Sequence, residues 1–98
     1  MADVTRPFDA AVYLDTPEAI EEFLFAAFES EDAAFIAHAL GVVARAKGMT
    51  QLSQETGLTR QALYKALSSD GNPEFSTILK VAHALGFKLS PARLSEPV

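Results

Sequence analysis

The middle of the chain contains two short amphipathic segments that meet at a single glycine, and this spacing constrains the fold more than any other feature. The first segment, residues 50–56, has Leu52 and the small Ser53 on its inner side. Gly57 then supplies the left-handed backbone that a sharp turn requires, and Leu58 is predicted to be the buried residue of that turn. The pattern predicts two helices joined by a tight turn.

The segment after the turn has a capping residue and two chemically different faces. Thr59 is suited to cap the second helix because its hydroxyl can accept a hydrogen bond from a first-turn N–H. Apolar side chains at positions i, i+1, i+4 and i+5 lie on one side of a helix. We therefore predict an inner face formed by Ala62, Leu63, Ala66 and Leu67.

The polar face of the second helix has the chemistry of DNA recognition. Arginine and glutamine form bidentate hydrogen bonds with guanine and adenine edges, and lysine and tyrosine suit phosphate or base contacts. Residues near helix N-termini favour phosphate, because backbone amides and the helix dipole attract anions there. An ordinary solvated helix surface is the alternative interpretation. The predicted DNA-contacting residues are Gln51, Thr59, Arg60, Gln61, Tyr64 and Lys65.

Length and composition match one small packed domain. The chain has 98 residues, of which 49% are apolar, and this is too short for two independent cores. The absence of cysteine excludes disulfides and thiolate metal sites. His38 and His83 have no second ligand at suitable spacing on their own helices, so we expect no metal and no cofactor. No catalytic constellation is present either, and we expect no enzyme.

The net charge of −5 divides unevenly along the sequence. Residues 1–32 carry nine acidic residues and one basic residue, whereas residues 33–98 carry seven basic and four acidic residues. This division suggests two partners of opposite sign, nucleic acid for the basic part and a basic protein for the acidic part. A solvated face that keeps the protein soluble is the alternative for the acidic segment. With no leader and no apolar run of membrane length, we expect a cytoplasmic protein.

Two further helices precede the glycine turn. Thr16 and Pro17 favour a helix start, and the helix should run to about Ser30. Phe25 lies off the apolar stripe of this helix. It either packs into the core on a second side of the helix, which we favour, or is an exposed anchor for a partner. The next helix is predicted over residues 32–47, with Gly41 in its interior allowing a neighbour to pack closely.

The C-terminal part shows a turn, a helix and a short alternating segment. Ser76 is suited to cap a last helix over residues 77–85, which Gly86 ends. The alternation at residues 87–89 is that of a short strand, which would need a neighbour such as the same segment of a second protomer. The resulting divisions are an acidic arm and helix packed on the core (1–31), a DNA-binding domain (32–90) and a loose tail (91–98).

With its elements in this order, the chain resembles the probable addiction-module antidote proteins, which are helix-turn-helix antitoxins of toxin-antitoxin pairs. The resemblance rests on Ala39-Leu40-Gly41, on residues 55–60 and 63–67, on Gly71-Asn72-Pro73 and on Ala84-Leu85-Gly86. It implies an all-α bundle of the lambda-repressor-like (Xre/Cro) type that represses its own operon and neutralises an mRNA-cleaving toxin with a RelE-like or HigB-like fold. Ser53 departs from the alanine common in such repressors; we expect its hydroxyl to bond back to the preceding turn and weaken packing slightly.

For the mechanism, we expect a homodimer that presents two recognition helices to successive major grooves of operator DNA. We expect the acidic segment to meet a basic toxin surface through carboxylates and apolar anchors. The alternatives are a free-standing phage-like repressor and an interaction module that has lost DNA binding. The predicted partner-binding residues are Phe8, Tyr13, Glu18, Glu21, Glu22, Phe25 and Glu29.

Overall fold

A computed structural model of the chain describes residues 14–68 and 70–94, and within these ranges the protein is helical, with no strand. Phe8 and Tyr13 of the predicted arm, like the last four residues of the tail, lie outside the described residues. The helix starts predicted at Thr16 and Asp32 are confirmed, since both side chains accept hydrogen bonds from first-turn N–H groups. The elements are α1 (Pro17–Glu29), α2 (Ala33–Lys47), α3 (Met49–Thr56), α4 (Arg60–Ala66) and α5 (Phe75–Ala84).

The hydrophobic core forms around α2, which packs against each of the other four helices. The middle of α2 is buried on almost every side because its residues are small or aliphatic. The apolar stripe predicted for α1 is confirmed: Leu24 and Ala27 are buried, and Ile20, Phe23 and Phe28 are half-buried. The largest fully buried side chains are Leu40, Val43, Leu52, Leu63 and Val81.

The end of α5 differs from the sequence prediction, because there is no strand after it. Gly86 has φ 96°, its N–H donates to the His83 carbonyl at 3.0 Å, and the N–H of Phe87 donates to the Ala82 carbonyl at 2.8 Å. This is the Schellman arrangement, in which the residues after the helix satisfy its last carbonyls. The side chain of Phe87 packs against the core, so the segment is held by its own helix and has no sheet partner within the described residues.

The start of α5 also differs from the prediction. Glu74, and not Ser76, is the N-cap residue, and no side chain accepts a hydrogen bond at this end. Instead, the Glu74 carbonyl accepts from the N–H groups of Thr77 at 3.0 Å and Ile78 at 3.1 Å. The helix therefore begins two residues earlier than the predicted Thr77.

Three burial predictions were wrong. Phe25 is 66% exposed, because α1 packs on one side of α2 and Phe25 lies on its outer side. Ala62 is exposed, since α4 turns Leu63 and Leu67 toward the core and leaves its other sides to solvent. Leu58 in the turn is only half-buried.

Gly41 allows α2 and α4 to approach closely, as predicted. A Cβ atom placed on Gly41 would overlap the carbonyl oxygen of Leu67 and press on the Leu67 Cβ at 3.3 Å. A backbone oxygen at the end of α4 cannot rotate away as a long side chain does. The contact therefore requires a residue without a side chain at this position of α2.

The turn between α3 and α4 is held by two side-chain hydroxyls. Gly57 has φ 76° and its N–H donates to the Ser53 carbonyl at 2.9 Å. The Ser53 hydroxyl donates to the Leu58 carbonyl, and the Thr56 hydroxyl accepts from the Leu58 N–H at 3.2 Å. The expectation that Ser53 bonds back into its own helix was wrong: its hydroxyl reaches forward across the turn, because Gly57 brings the Leu58 carbonyl within its reach.

We expect Gly41→Ala to lower the free energy of unfolding by about 1–3 kcal/mol, because the added methyl group overpacks the contact with Leu67. Helix propensity alone would favour alanine by about 1 kcal/mol. Urea denaturation followed by far-UV circular dichroism measures the difference. The control is Ala26→Gly, on the exposed side of α1. Its loss of stability measures how much the difference in helix propensity between alanine and glycine contributes in this chain. A Gly41→Ala variant more stable than the wild type would contradict the close approach.

We expect Ser53→Ala to lower the free energy of unfolding by about 1 kcal/mol, because the half-buried Leu58 carbonyl loses its donor. Ser76→Ala is the matched control, since Ser76 is exposed and does not cap α5. We expect the control to change stability by less than about 0.5 kcal/mol. Equal losses in the two variants would show that the hydroxyl bridge contributes nothing to stability.

Candidate functional site

The outer face of α4 presents the polar residues that the sequence placed there. Thr59 adopts the extended backbone of an N-cap residue, and its hydroxyl accepts from the Ala62 N–H at 3.0 Å, as predicted. This cap and the glycine turn set the direction in which α4 leaves α3. Arg60, Gln61 and Lys65 are exposed, and Tyr64 keeps 47% of its surface exposed. Residues spaced i, i+1, i+4 and i+5 share one side of the helix, so these four side chains form one surface.

Gln51 lies exposed on the first turn of α3. Its side-chain nitrogen donates to Glu55 Oε2 at 3.0 Å, one helical turn further along. The carboxylate of Glu55 therefore lies close to a predicted phosphate-contacting residue, which the sequence reasoning did not consider. The i, i+4 spacing of Gln51 and Glu55 in the sequence could have predicted this hydrogen bond.

A cleft of about 260 Å³ lies between α2 and α4. His38, Gly41 and Arg45 line its α2 side, and Tyr64 and Leu67 line its α4 side. The sequence analysis did not predict this arrangement, because nothing local to His38 or Arg45 indicates that α4 packs beside them. Their seven-residue spacing, with Gly41 between them, places both on one side of α2.

A second surface, on α1, carries an acidic stripe. Glu18, Glu22, Phe25 and Glu29 follow one another at intervals of three or four residues, which places them along one side of the helix, with Glu21 beside them. All five are exposed. Phe25 is thus a single aromatic side chain among four carboxylates.

Beside this stripe, an apolar groove of about 710 Å³ runs between α1, α5 and the segment that follows α5. Phe25 and Phe75, which are 66% and 68% exposed, both line it. Glu21 and Glu29 add negative charge, and Lys88 adds one positive charge. Phe75 had not been assigned to any site from the sequence, since nothing local to residue 75 indicates that α1 lies nearby.

The two surfaces use different sides of α2. The cleft next to α4 is lined by His38, Gly41 and Arg45, whereas Val43 and Lys47 face the region beside α1. The α4 face and the acidic stripe of α1 therefore lie beside different sides of α2.

Two classes of site are absent from the described part of the chain. Across residues 14–68 and 70–94, histidine and acidic side chains do not gather in groups of three or more that could hold a metal ion. Both histidines are exposed. Among the helices described above, none combines the length and the apolar character that crossing a membrane requires.

Comparison with known proteins places the chain in a family. The family model for probable addiction module antidote proteins matches residues 4–93. An uncharacterized protein of Haemophilus influenzae is 39% identical over 88 residues, which cover 90% of this chain and 91% of that relative. No solved structure gives a significant match. The family match extends over all five helices, and the chain therefore belongs to the family of probable addiction module antidote proteins.

Proposed function

We propose that this protein is an antitoxin that neutralises a basic, RelE-like, mRNA-cleaving toxin through α1 and represses its own operon by binding operator DNA through α3 and α4. Membership of an addiction-module antidote family implies a cognate toxin. The observation that carries the proposal is the separation of two chemically opposite surfaces: a polar and basic face on α4 and an acidic stripe on α1, with α2 between them. A non-enzymatic protein that binds two unlike partners needs such a separation.

For the DNA side, we propose that α3 and α4 act as a helix-turn-helix of the lambda-repressor-like (Xre/Cro) type. Arg60 and Gln61 read base edges in the major groove, and Tyr64 and Lys65 contact the backbone or base edges. A homodimer places its two copies of α4 about 34 Å apart, on successive major grooves of a pseudo-palindromic site. Gln51 and Thr59, at the N-terminal ends of α3 and α4, contact phosphates.

For the toxin side, we propose that the acidic stripe of α1 covers the basic surface with which the toxin would otherwise approach RNA. The four carboxylates attract that surface and speed association. Phe25 enters an apolar pocket of the toxin and lengthens the lifetime of the complex. Phe8 and Tyr13 of the N-terminal arm add apolar contacts. Because α1 contributes Leu24 and Ala27 to the core, this surface is better tested by single substitutions than by removal of the segment.

The first test of the function is co-expression with the product of the adjacent open reading frame. Co-purification of the two proteins, together with relief of the growth arrest that the neighbour causes, supports the antitoxin. Operator binding without any interaction with the neighbour indicates a free-standing repressor and contradicts the toxin half of the proposal.

We expect Arg60→Ala to weaken operator binding by about 1–3 kcal/mol and to relax the preference at one base pair of each half-site, because a bidentate base contact is lost. Lys65→Gln should weaken all DNA sequences alike and reduce the salt slope by about one unit for each bound subunit. Fluorescence anisotropy with operator variants at fixed salt measures both. Unchanged affinity and preference in Arg60→Ala would contradict the assignment of base recognition.

We expect Phe25→Ala to weaken the toxin complex by about 2 kcal/mol, observed as roughly 30-fold faster dissociation. Glu22→Gln should instead slow association, and the difference should vanish at high salt. Leu79→Ala is the matched control, because Leu79 is another exposed apolar residue, on α5. Surface plasmon resonance with the neighbouring gene product gives both rate constants. If the control accelerates dissociation as much as Phe25→Ala, the toxin does not dock on α1 as proposed.

A further inference from the structure

The cleft between α2 and α4 differs in charge from the larger cleft on the other side of α4. Its described lining residues include Arg45 and His38 and no carboxylate. The larger cleft on the other side of α4, of about 750 Å³, combines one cation, Lys65, with the carboxylates of Asp70 and Glu74. Of the two clefts that flank α4, only the one against α2 is therefore suited to an anion.

We propose that the cleft between α2 and α4 binds a phosphate of the DNA backbone, with Arg45 as its principal cation. This inference rests on the proposed DNA binding by α4 and adds a contact from a helix outside the two-helix unit. The guanidinium of Arg45 matches the geometry of a phosphate group. His38, two turns earlier on the same side of α2, donates from its ring, and Tyr64 donates from its hydroxyl.

Tyr64 connects the cleft to the base-contacting face, because it belongs to both. A strand of DNA whose bases face Arg60 therefore continues past Tyr64 toward Arg45. The floor of the cleft is apolar, with Met49, Leu63 and Leu67 all buried. These apolar side chains lower the dielectric constant beneath the phosphate, and this strengthens its attraction to the guanidinium.

The close approach at Gly41 sets the position of this site. At this residue α4 packs directly on the backbone of α2. His38 and Arg45, which precede and follow Gly41 by about one helical turn, therefore line the same cleft as Tyr64. The Ser68 hydroxyl also lines the cleft, but it donates to the Lys65 carbonyl at 3.1 Å and closes the end of α4. We therefore assign no phosphate contact to Ser68.

The test compares Arg45→Gln with Arg93→Gln, a matched control that removes the same charge from an exposed residue of the C-terminal segment. The full-length proteins are titrated, between about 50 and about 200 mM salt, with a duplex from the protein's own promoter and with an unrelated duplex of equal length. We expect Arg45→Gln to reduce the salt slope by about one unit for each subunit whose cleft contacts the DNA. Its affinity should fall by the same factor, about three- to tenfold, on both duplexes. Arg93→Gln should match the wild type.

Replacing single phosphates of the promoter duplex with uncharged methylphosphonates locates the contact. At one position in each half-site, the neutral linkage should weaken the wild type and leave Arg45→Gln unaffected, because the contact is already lost. His38→Gln should show the same pattern with a smaller loss. Arg45 is exposed, so thermal unfolding of Arg45→Gln should coincide with that of the wild type.

Three outcomes overturn the inference. An Arg45→Gln variant with wild-type affinity and salt slope rejects the cleft while leaving DNA binding by α4 intact. A loss confined to the promoter duplex assigns Arg45 to base recognition instead. A wild-type protein that binds neither duplex at any salt concentration rejects the proposed DNA function itself, and the phosphate site with it.

Discussion

The contact between Gly41 of α2 and the backbone at Leu67 is the constraint on which the rest of the structure depends. A central helix that packs against four neighbours lets them approach most closely where its own side chains are small. Gly41 is the extreme case, with alanines at 37, 39 and 44 around it. Without this approach α4 would sit further from α2, and both the core and the outer face of α4 would move.

The same central helix separates an acidic surface from a basic one in a protein whose net charge is negative. The net charge of −5 is the sum of a strongly acidic region, residues 1–32, and a basic region, residues 33–98. The carboxylates of α1 lie on one side of α2, whereas Arg45 and the cations of α4 lie on another. Since salt screens charges over about 10 Å, each surface presents mainly its local charge to a partner. One small domain can therefore attract a basic protein and a polyanion.

In the α3–α4 turn, a hydrogen bond from Ser53 compensates for the loss of the alanine that is common at this position in repressors. Serine at 53 is less apolar than the alanine expected there, yet its hydroxyl joins the Leu58 carbonyl and closes the turn from inside. With the hydroxyl of Thr56 on the Leu58 N–H, both backbone polar groups of Leu58 are satisfied. A half-buried turn residue with satisfied backbone groups holds the two helices at a defined angle.

The sequence by itself determined the helical class, the bounds of the first three helices within one residue, the start of the fourth, the glycine turn and the antidote family. These features depend on local chemistry, such as the caps at Thr16, Asp32 and Thr59, which acts within a few residues. The exposure of Phe25 and Ala62 and the placement of Arg45 beside Tyr64 in one cleft were decided only by the tertiary structure. Each depends on which helix lies next to which, and that follows from packing between residues far apart in the chain, where local periodicity carries no information.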